Sequence, residues 1–374
     1  MNILRDTTGA TLGLVNCDWL SFSVTLCETT SERDRHEWVF HDAPPGYRLV
    51  EFDGTNIYKR RLICYSEDGE KIFTLLCQPH SRAIPRESAL VQIANKWLYL
   101  GHWHIFDLIN EVHPCYWRCC SRLDVCCDFV GTPERISLIK DLDTNRAYVQ
   151  GKGEGGGFVK YQREIRVERI PKELTWGSKN SNIRWKVYNK SGEIFEFDSE
   201  GHRICHKPYI ADQWHAVEFD DRNVWRIEVS INPMHKFEYH GRRTSWKDTW
   251  NGLYLEDLFV SMYMNRFIVR RNEGHKDRSN DRRVHLLADL GQCDRLTQWK
   301  NPNPKNTEVV EYASCLNAAM AQLQKPEVAI NPQMFDVWKH TAVQCVRLGR
   351  LESYFLNAYG QTIEEFFSAV HPTS

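Results

Sequence analysis

The sequence has no apolar run that approaches the roughly 18 residues a membrane-spanning helix requires. Its best candidate, 258–269, is interrupted by Asn265 and Arg266. The N-terminus also lacks the basic flank and apolar stretch of a signal peptide, so we expect a cytoplasmic protein without a membrane partner. Charge of one sign is not in excess either, because Lys and Arg number 48, Asp and Glu number 49, and the net charge is −1. This balance excludes a protein that coats nucleic acid with its whole surface, and a polyanion must bind a local basic patch.

Several functional motifs are missing as well. The glycine-rich segment 151–158 lacks the Gly-Lys-Ser/Thr ending of a phosphate-binding loop, and no helicase or ATPase domain is recognisable. The 13 cysteines include no paired C-x₂-C motif, and a chain of 374 residues can fold without disulfides, so we interpret them as reduced thiols. No internal repeat with a period of 20 to 50 residues is present.

The pattern of apolar residues predicts an α+β fold with antiparallel-leaning sheets and packed helices. Helices are expected over 85–98 and 105–112. Strands are expected over 14–28, 47–52, 61–65, 71–76, 121–130, 183–189, 194–197 and 224–231. The domain prediction is a core over 1–300, a linker with two prolines at 301–306, and a helical C-terminal segment over 307–374. That segment has apolar stripes over 308–325, 333–357 and 362–370, the last of which opens with the capping box Thr362-x-x-Glu365.

Three of the predicted strands carry charged or hydroxyl groups on one face, an arrangement that is costly in a purely structural sheet. Alternate residues of a strand share a face. This groups Arg122, Asp124, Cys126 and Asp128 in the first strand, Lys186, Tyr188 and Lys190 in the second, and Arg226 with Glu228 in the third. If the three strands are neighbours, one surface holds several carboxylates, a tyrosine, a lysine and arginines. Taken singly, each strand is equally consistent with an edge whose charges pair with one another.

This set of groups suits phosphoryl transfer from a nucleic-acid backbone to tyrosine. Carboxylate oxygens are the ligands that Mg²⁺ or Mn²⁺ prefers, and such an ion polarises phosphoryl oxygens. A phenol has a pKa near 10, so it needs a nearby cation to become a nucleophile at neutral pH.

Four segments support the same interpretation. In order along the chain they are DWLSFSV (18–24), RLDVCCDF (122–129), LTWGSKNSNIRWKVYNKSGE (174–193) and WRIEVSI (225–231). Over about residues 14 to 270 the chain resembles the Rep_trans family, the replication initiation factors of rolling-circle plasmids and the related relaxases of conjugative elements. The family typically has an early D-W-L-x-F strand, an R-x-D-x-x-x-D strand, a T-x-Y-x-G-S-x-x-S segment running into R-x-Y-x-K, and a late R-x-E strand. This sequence departs from the pattern at Trp176, where the family usually has tyrosine.

The resemblance implies a duplicated Rep-like nuclease core that nicks and rejoins one DNA strand at an origin. Tyr188 would attack the phosphate, leaving a 5′-phosphotyrosyl enzyme and a free 3′-hydroxyl, with Lys190 steadying the phenolate or the phosphate. Asp124, Glu228 and Asp128 would hold Mg²⁺ or Mn²⁺. Implied partners are origin DNA, as a single strand or hairpin, and a host helicase and polymerase, and a homodimer is compatible with this function.

The expected DNA surface combines two arginines of this site with basic residues elsewhere in the sequence. Arg122 and Arg226 would orient carboxylates or contact the DNA backbone. Residues 270–283 hold six Lys or Arg against three acidic residues, and their predicted DNA contacts are Arg270, Arg271, Lys276, Arg282 and Arg283. Aromatic residues near other basic stretches, namely Tyr161, Tyr239 and Trp246, are candidates for base stacking.

Two alternatives remain open at this point. His102-Trp103-His104 has the His-hydrophobe-His pattern of the other large class of tyrosine nickases, in which two histidines bind the metal. The second alternative is a protein that binds origin DNA without catalysing a reaction.

Overall fold

The computed structural model divides the chain into two compact units, Met1–Gln298 and Trp299–Ser374. The described residues are 2–6, 8–27, 38–81, 84–101, 103–150, 158–159, 173–178, 180–275, 277, 280–288, 290, 294–298, 316–317, 319–320, 322–323, 332–348 and 351–369. Among the helices described, none combines the length and apolar character needed to cross a membrane.

Unit 1 is built on antiparallel sheets. Its strands are β1 Asn2–Arg5, β2 Thr11–Leu26, β3 Tyr47–Asp53, β4 Tyr58–Ser66, β5 Lys71–Pro79, β6 Ser88–Ile93, β7 Cys115–Val130, β8 Ala147–Gln150, β9 Phe158–Val159, β10 Glu173–Trp176, β11 Ile183–Asn189, β12 Phe195–Phe197, β13 Arg203–Cys205, β14 Val224–Ile231, β15 Phe237–Glu238, β16 Ile268–Arg271, β17 Arg283–Val284 and β18 Thr297–Gln298. The largest sheet has 11 strands in the order β3-β4-β5-β6-β2-β7-β14-β11-β10-β9, with β1 paired to β2. Smaller sheets pair β12 with β13, β15 with β18, and β16 with both β8 and β17.

Helices connect and cover these strands. They are α1 Asn95–Leu100, α2 Ile105–Val112, α3 Pro133–Asp143, α4 Ser191–Ile194, α5 Pro208–His215 and α6 Gly252–Arg266, with 3₁₀ helices at Met234–Lys236 and Lys247–Trp250. The largely apolar α6 packs on β1, β2 and β7. Helices α1 and α5 contact each other, and α1 also contacts β2.

The central strands of the large sheet have two different faces because their side chains alternate. On β14, Ile227 and Val229 point into the apolar core, whereas Arg226 and Glu228 point to the opposite face. All eight residues of β14 are nevertheless buried, so the polar face at this strand is covered as well. Buried charges require partners, and their arrangement defines the candidate site.

Unit 2 is helical, with α7 Pro332–Leu348, α8 Glu352–Tyr359 and α9 Ile363–Ala369. Its buried core includes Phe335, Phe355 and Phe367. The capping box forms, because the Glu365 backbone N–H donates to Thr362 Oγ1 at 3.2 Å and the Thr362 N–H donates to Glu365 Oε2 at 2.7 Å.

The predicted fold class, an α+β chain with antiparallel sheets and a helical C-terminal segment, is confirmed. Two element predictions are wrong. Residues 88–93 lie in strand β6 rather than in a helix over 85–98, because a short apolar run fits either period and the edges of β2 and β5 supply hydrogen-bonding partners. The helix predicted over 333–357 is two helices, α7 and α8, with Gly349 between them in the sequence.

Candidate active site

The three polar strands are neighbours in the order β7-β14-β11. Their register pairs Arg226 with Tyr188 on one side and with Asp128 on the other. Two residues further along β14, Glu228 lies opposite Lys186. The groups singled out from the sequence therefore share one face of one sheet.

Tyr188 and Glu228 meet directly on this face. The phenol hydroxyl donates a hydrogen bond to Glu228 Oε2 at 3.1 Å, and the Lys190 ammonium donates to the phenol oxygen at 3.4 Å. The Tyr188 side chain is 8% exposed. Burial raises the pKa of Tyr188 well above its usual range, and the Arg226 guanidinium opposes this only in part. At neutral pH the side chain is therefore a phenol whose proton is directed at a carboxylate.

Lys190 is held in place by a residue that the sequence reasoning missed. Its ammonium donates to Glu193 Oε2 at 2.7 Å, and Lys207 donates to Glu193 Oε1 at 2.6 Å. Burial lowers the pKa of Lys190, and the Arg226 guanidinium lowers it further. Glu193 counters both effects and fixes the ammonium at the phenol oxygen. Glu193 follows Lys190 by three residues, about one turn of α4, and this spacing is the sequence signal that points to Glu193.

Asp124 and Glu228 form a second pair of groups on the same face. Arg122 binds the Asp124 carboxylate with both ends of its guanidinium, at 2.8 and 2.5 Å, and Lys186 donates to Glu228 Oε1 at 2.9 Å. Burial raises the pKa of Asp124 to about 6, and the Glu228 carboxylate adds to the rise. The two buried carboxylates thus repel each other, and Arg122 and Lys186 compensate from partly exposed positions.

Asp128 and Arg226, by contrast, are fully buried in an ion pair. Arg226 donates to both oxygens of Asp128, at 2.5 and 2.7 Å, and Trp214 of α5 donates to Asp128 Oδ2 at 2.9 Å. The remaining arm of Arg226 binds Asp18 at 2.5 Å, and Tyr99 of α1 donates to the same Asp18 oxygen at 2.7 Å. Although burial opposes it, Arg226 lowers the pKa of Asp18.

This ion pair bears on two sequence predictions. Asp128 has both oxygens bound by the fully buried Arg226 and is 0% exposed, whereas Asp124 and Glu228 are paired with the partly exposed Arg122 and Lys186. Of the three predicted metal ligands, Asp128 is therefore the least accessible to an ion. Arg226 is also 0% exposed, so it presents no surface to DNA. Of its two predicted roles, the geometry matches the orientation of carboxylates. Asp18, to which the sequence reasoning gave no role, completes the network.

The residues present favour a divalent-cation site with two carboxylates rather than the three that the sequence predicted. Asp124, Asp128 and Glu228 do not bring their oxygens within 4.8 Å of one another as a group. Asp124 and Glu228 alone supply the one or two carboxylates that Mg²⁺ or Mn²⁺ usually shares with substrate phosphates, and the cation would displace the Arg122 and Lys186 contacts that they make now. A cation there would stabilise the ionised form of Asp124, whose pKa is raised by burial and by the Glu228 carboxylate.

The basic segment is largely engaged in contacts within the protein. Arg270 donates to Gln150 and to the Asp281 carbonyl, Arg271 pairs with Asp141 at 2.8 Å, and Arg283 donates to the Met264 carbonyl. Arg282 and Arg283 are exposed and face solvent at least in part. Lys276 lies outside the described residues. Glu273, His275 and Asp281 bring their ligand-type atoms within 4.8 Å of one another in the same segment.

Two of the three predicted stacking aromatics pack within the protein, Tyr239 fully and Trp246 in part. Tyr239 is 2% exposed, and Trp246 packs in an aromatic cluster with Phe22, Phe106 and Trp117. Tyr161 lies outside the described residues. Trp176, the departure from the family pattern, packs edge-on against Phe267, consistent with a structural position.

The strand that the histidine alternative requires is not present at His104. His104 lies in the turn before α2 as its N-cap residue, with its ring against Trp103, and His102 lies outside the described residues. The alternation that would place two histidines on one face of a strand therefore does not apply at His104.

Comparison with known proteins gives a distant structural likeness. No family model and no curated protein matches the chain. Among solved structures, the chain is similar to one described as the rolling circle replication initiator protein from Geobacillus stearothermophilus, with a TM-score of 0.41 and 11% sequence identity. The match covers 73% of this chain and 94% of that one. A likeness this distant transfers neither an activity nor a residue role to this chain.

Proposed function

We propose that this protein is a metal-dependent DNA nicking-joining enzyme, a rolling-circle replication initiator or relaxase, with Tyr188 as its nucleophile. The observation that carries the proposal is the placement of the Tyr188 hydroxyl between the Glu228 carboxylate at 3.1 Å and the Lys190 ammonium at 3.4 Å. A proton acceptor and a cation at one phenol oxygen are what a tyrosine needs in order to attack a phosphate.

In the proposed step, the phenol proton passes to Glu228 Oε2 while a bond forms between the Tyr188 oxygen and phosphorus. The bond from phosphorus to the 3′ oxygen breaks, and that oxygen leaves with the electron pair and takes a proton from water. Lys190 stabilises the negative charge that develops on the phenol oxygen. Mg²⁺ or Mn²⁺ held by Asp124 and Glu228 would polarise the phosphoryl oxygens. Rejoining is the reverse reaction, with a 3′-hydroxyl attacking the phosphotyrosine.

Access to Tyr188 is a condition of this mechanism. Because its side chain is 8% exposed, a DNA strand reaches the hydroxyl only when the groups around it move. The ion-pair partners of Glu228 and Lys190 do reach solvent, because the Lys186 side chain is 24% exposed and the Glu193 side chain is 36% exposed. Both are ion-paired to the catalytic groups, so backbone phosphates and a metal ion can replace these contacts on binding.

The free 3′-hydroxyl would prime a host polymerase, and a host helicase would separate the strands. Origin DNA, presented as a single strand or hairpin, is the proposed substrate. A second copy of the chain is compatible with this function, as is a cytoplasmic location.

The test is the detection of a covalent adduct. The protein is incubated with a 3′-labelled pool of random single-stranded DNA and Mn²⁺, because the covalent product retains the strand on the 3′ side of the nick. A labelled band that resists SDS is expected for the wild type and is lost in Tyr188→Phe. Tyr254→Phe is the matched control, since Tyr254 is also buried and also loses one hydrogen bond, from its contact with Thr244.

The outcomes separate the alternatives. An adduct that survives in Tyr188→Phe refutes the nucleophile assignment. An adduct lost in His102→Ala and His104→Ala, but kept in Asp124→Ala and Glu228→Ala, supports the histidine class of nickase. Binding of the DNA without any adduct supports the non-catalytic origin-binding protein.

A further inference from the structure

Trp19 is exposed in a place where a tryptophan is expected to be buried. It lies in β2, which is flanked by β6 and β7 within the 11-stranded sheet. Its neighbours Cys17 and Leu20 are 4% and 0% exposed, whereas Trp19 is 36% exposed. Large aromatic side chains contribute strongly to a core when buried, and this indole in a central strand instead leaves part of its surface open to a ligand.

A β-bulge directs Trp19 to the polar face. The register of β2 against β7 pairs Cys17 with Val125 and then Trp19 with Asp124, so Asp18 has no partner in the ladder. Regular alternation would send Asp18 and Trp19 to opposite faces, but the extra residue lets both side chains reach the same one. Asp18 binds Arg226 there, and Trp19 lies in the row of Asp124.

The indole also has a fixed cation beside it. The Arg122 guanidinium carbon lies 5.0 Å from the centre of the Trp19 ring, and Asp124 holds that guanidinium through two hydrogen bonds. An open aromatic face next to an arginine is the usual platform on which proteins stack the bases of single-stranded nucleic acid. A purely apolar protein partner fits this site poorly, because the surrounding groups are charged.

We propose that Trp19, backed by Arg122, is a stacking platform for one base of single-stranded DNA. The identity of the ligand rests on the function proposed above. Along the sheet, Trp19 lies four residues and three strands from Tyr188, which is roughly 20 Å at ordinary strand spacings. The platform therefore binds a base several nucleotides from the scissile phosphate and sets the position of the strand over Tyr188.

The experiment uses oligo(dT) with a central 2-aminopurine, because stacking on an aromatic side chain tolerates any base. Binding to the full-length protein is measured in EDTA, so that no cleavage interferes. We expect wild-type protein to quench the fluorescence and Trp19→Leu to weaken binding by roughly 5- to 150-fold, with the quenching lost. Trp19→Phe retains an aromatic face and is expected to restore most of both signals.

Leucine keeps the apolar contacts of the indole, so the fold should survive, and the thermal unfolding midpoint verifies this. Trp103→Leu is the matched control because Trp103 is 68% exposed and lies outside the strands, between α1 and α2. Unchanged affinity and quenching in a folded Trp19→Leu variant overturn the platform, even if the Tyr188 adduct forms. Trp19-dependent quenching by a protein that forms no adduct supports the platform while the proposed activity fails.

Discussion

The ion pair between Arg226 and Asp128 allows a direct test of which carboxylates stabilise the fold and which bind the metal ion. Asp128→Asn keeps the shape of the side chain and removes its charge. The guanidinium then remains buried with Asp18 as its one acidic partner. Asp128 was predicted from the sequence to bind metal, so the variant separates a structural role from a catalytic one.

The size of the effect follows from the burial of both partners. Arg226 and Asp128 are each 0% exposed, and removing one member of a buried pair costs about 3–5 kcal/mol. For a unit of this size, that loss corresponds to a fall in the unfolding midpoint of roughly 5–8 °C. The control is Glu51→Gln, whose pair with Arg60 is 48% and 23% exposed and should contribute no more than about 1 kcal/mol.

Thermal unfolding followed by circular dichroism measures the loss of stability. Electron paramagnetic resonance measures the binding of Mn²⁺. We expect Asp128→Asn to be destabilised and still bind Mn²⁺, and Asp124→Asn to lose Mn²⁺ binding. If Asp128→Asn unfolds within about 2 °C of the wild type but no longer binds Mn²⁺, the assignment of Asp128 to the structural network is wrong.

Three further predictions address the groups around the phenol and the C-terminal unit. In metal-free buffer, the pKa of about 6 for Asp124 exceeds its unfolded value, so the native state binds this proton more tightly and the carboxyl loses its stabilising contribution as the pH rises from about 4 to 6. The unfolding free energy of Asp124→Asn relative to wild type should therefore rise by about 2 kcal/mol across that window, and a flat difference contradicts the shift. Glu193→Gln removes one of the two carboxylates that raise the pKa of Lys190, the other being Asp18, so the alkaline limb of adduct formation should move to lower pH; an unchanged pH profile removes Glu193 from this role. Thr362→Ala deletes the cap shared with Glu365 and should cost unit 2 about 1 kcal/mol, measured by denaturant unfolding, whereas equal loss in Thr362→Ser argues against the cap.

The sequence was informative wherever a strict period of two governed the outcome. The alternation of charged and apolar residues in 224–231 predicted both the strand and its two faces, and β14 has these bounds. The same alternation placed Tyr188 and Glu228 on one surface once their strands proved to be neighbours. Residues 88–93 show the limit, because their apolar spacing is compatible with a helix and the sheet supplied the deciding hydrogen bonds.

The sequence did not predict that the carboxylates have different surroundings. Asp124 and Asp128 lie on the same face of the same strand. Asp124 is bound by the partly exposed Arg122, whereas Asp128 is bound by the buried Trp214. That difference arises from where α5 lies over the sheet, which no local pattern encodes. The exposure of Trp19 likewise depends on a bulge that becomes visible only when β2 is aligned with β7.

The bulge at Asp18 gives β2 one residue more than the facing stretch of β7. Deleting either Asp18 or Trp19 would restore regular pleating while Cys17 and Leu20 keep facing the core, because they already pair with Val125 and Leu123. Loss of Asp18 would remove the counter-ion of Arg226 and spare the indole, whereas loss of Trp19 would remove the indole and spare the counter-ion. The buried charge network and the aromatic surface are therefore separable by two single-codon deletions.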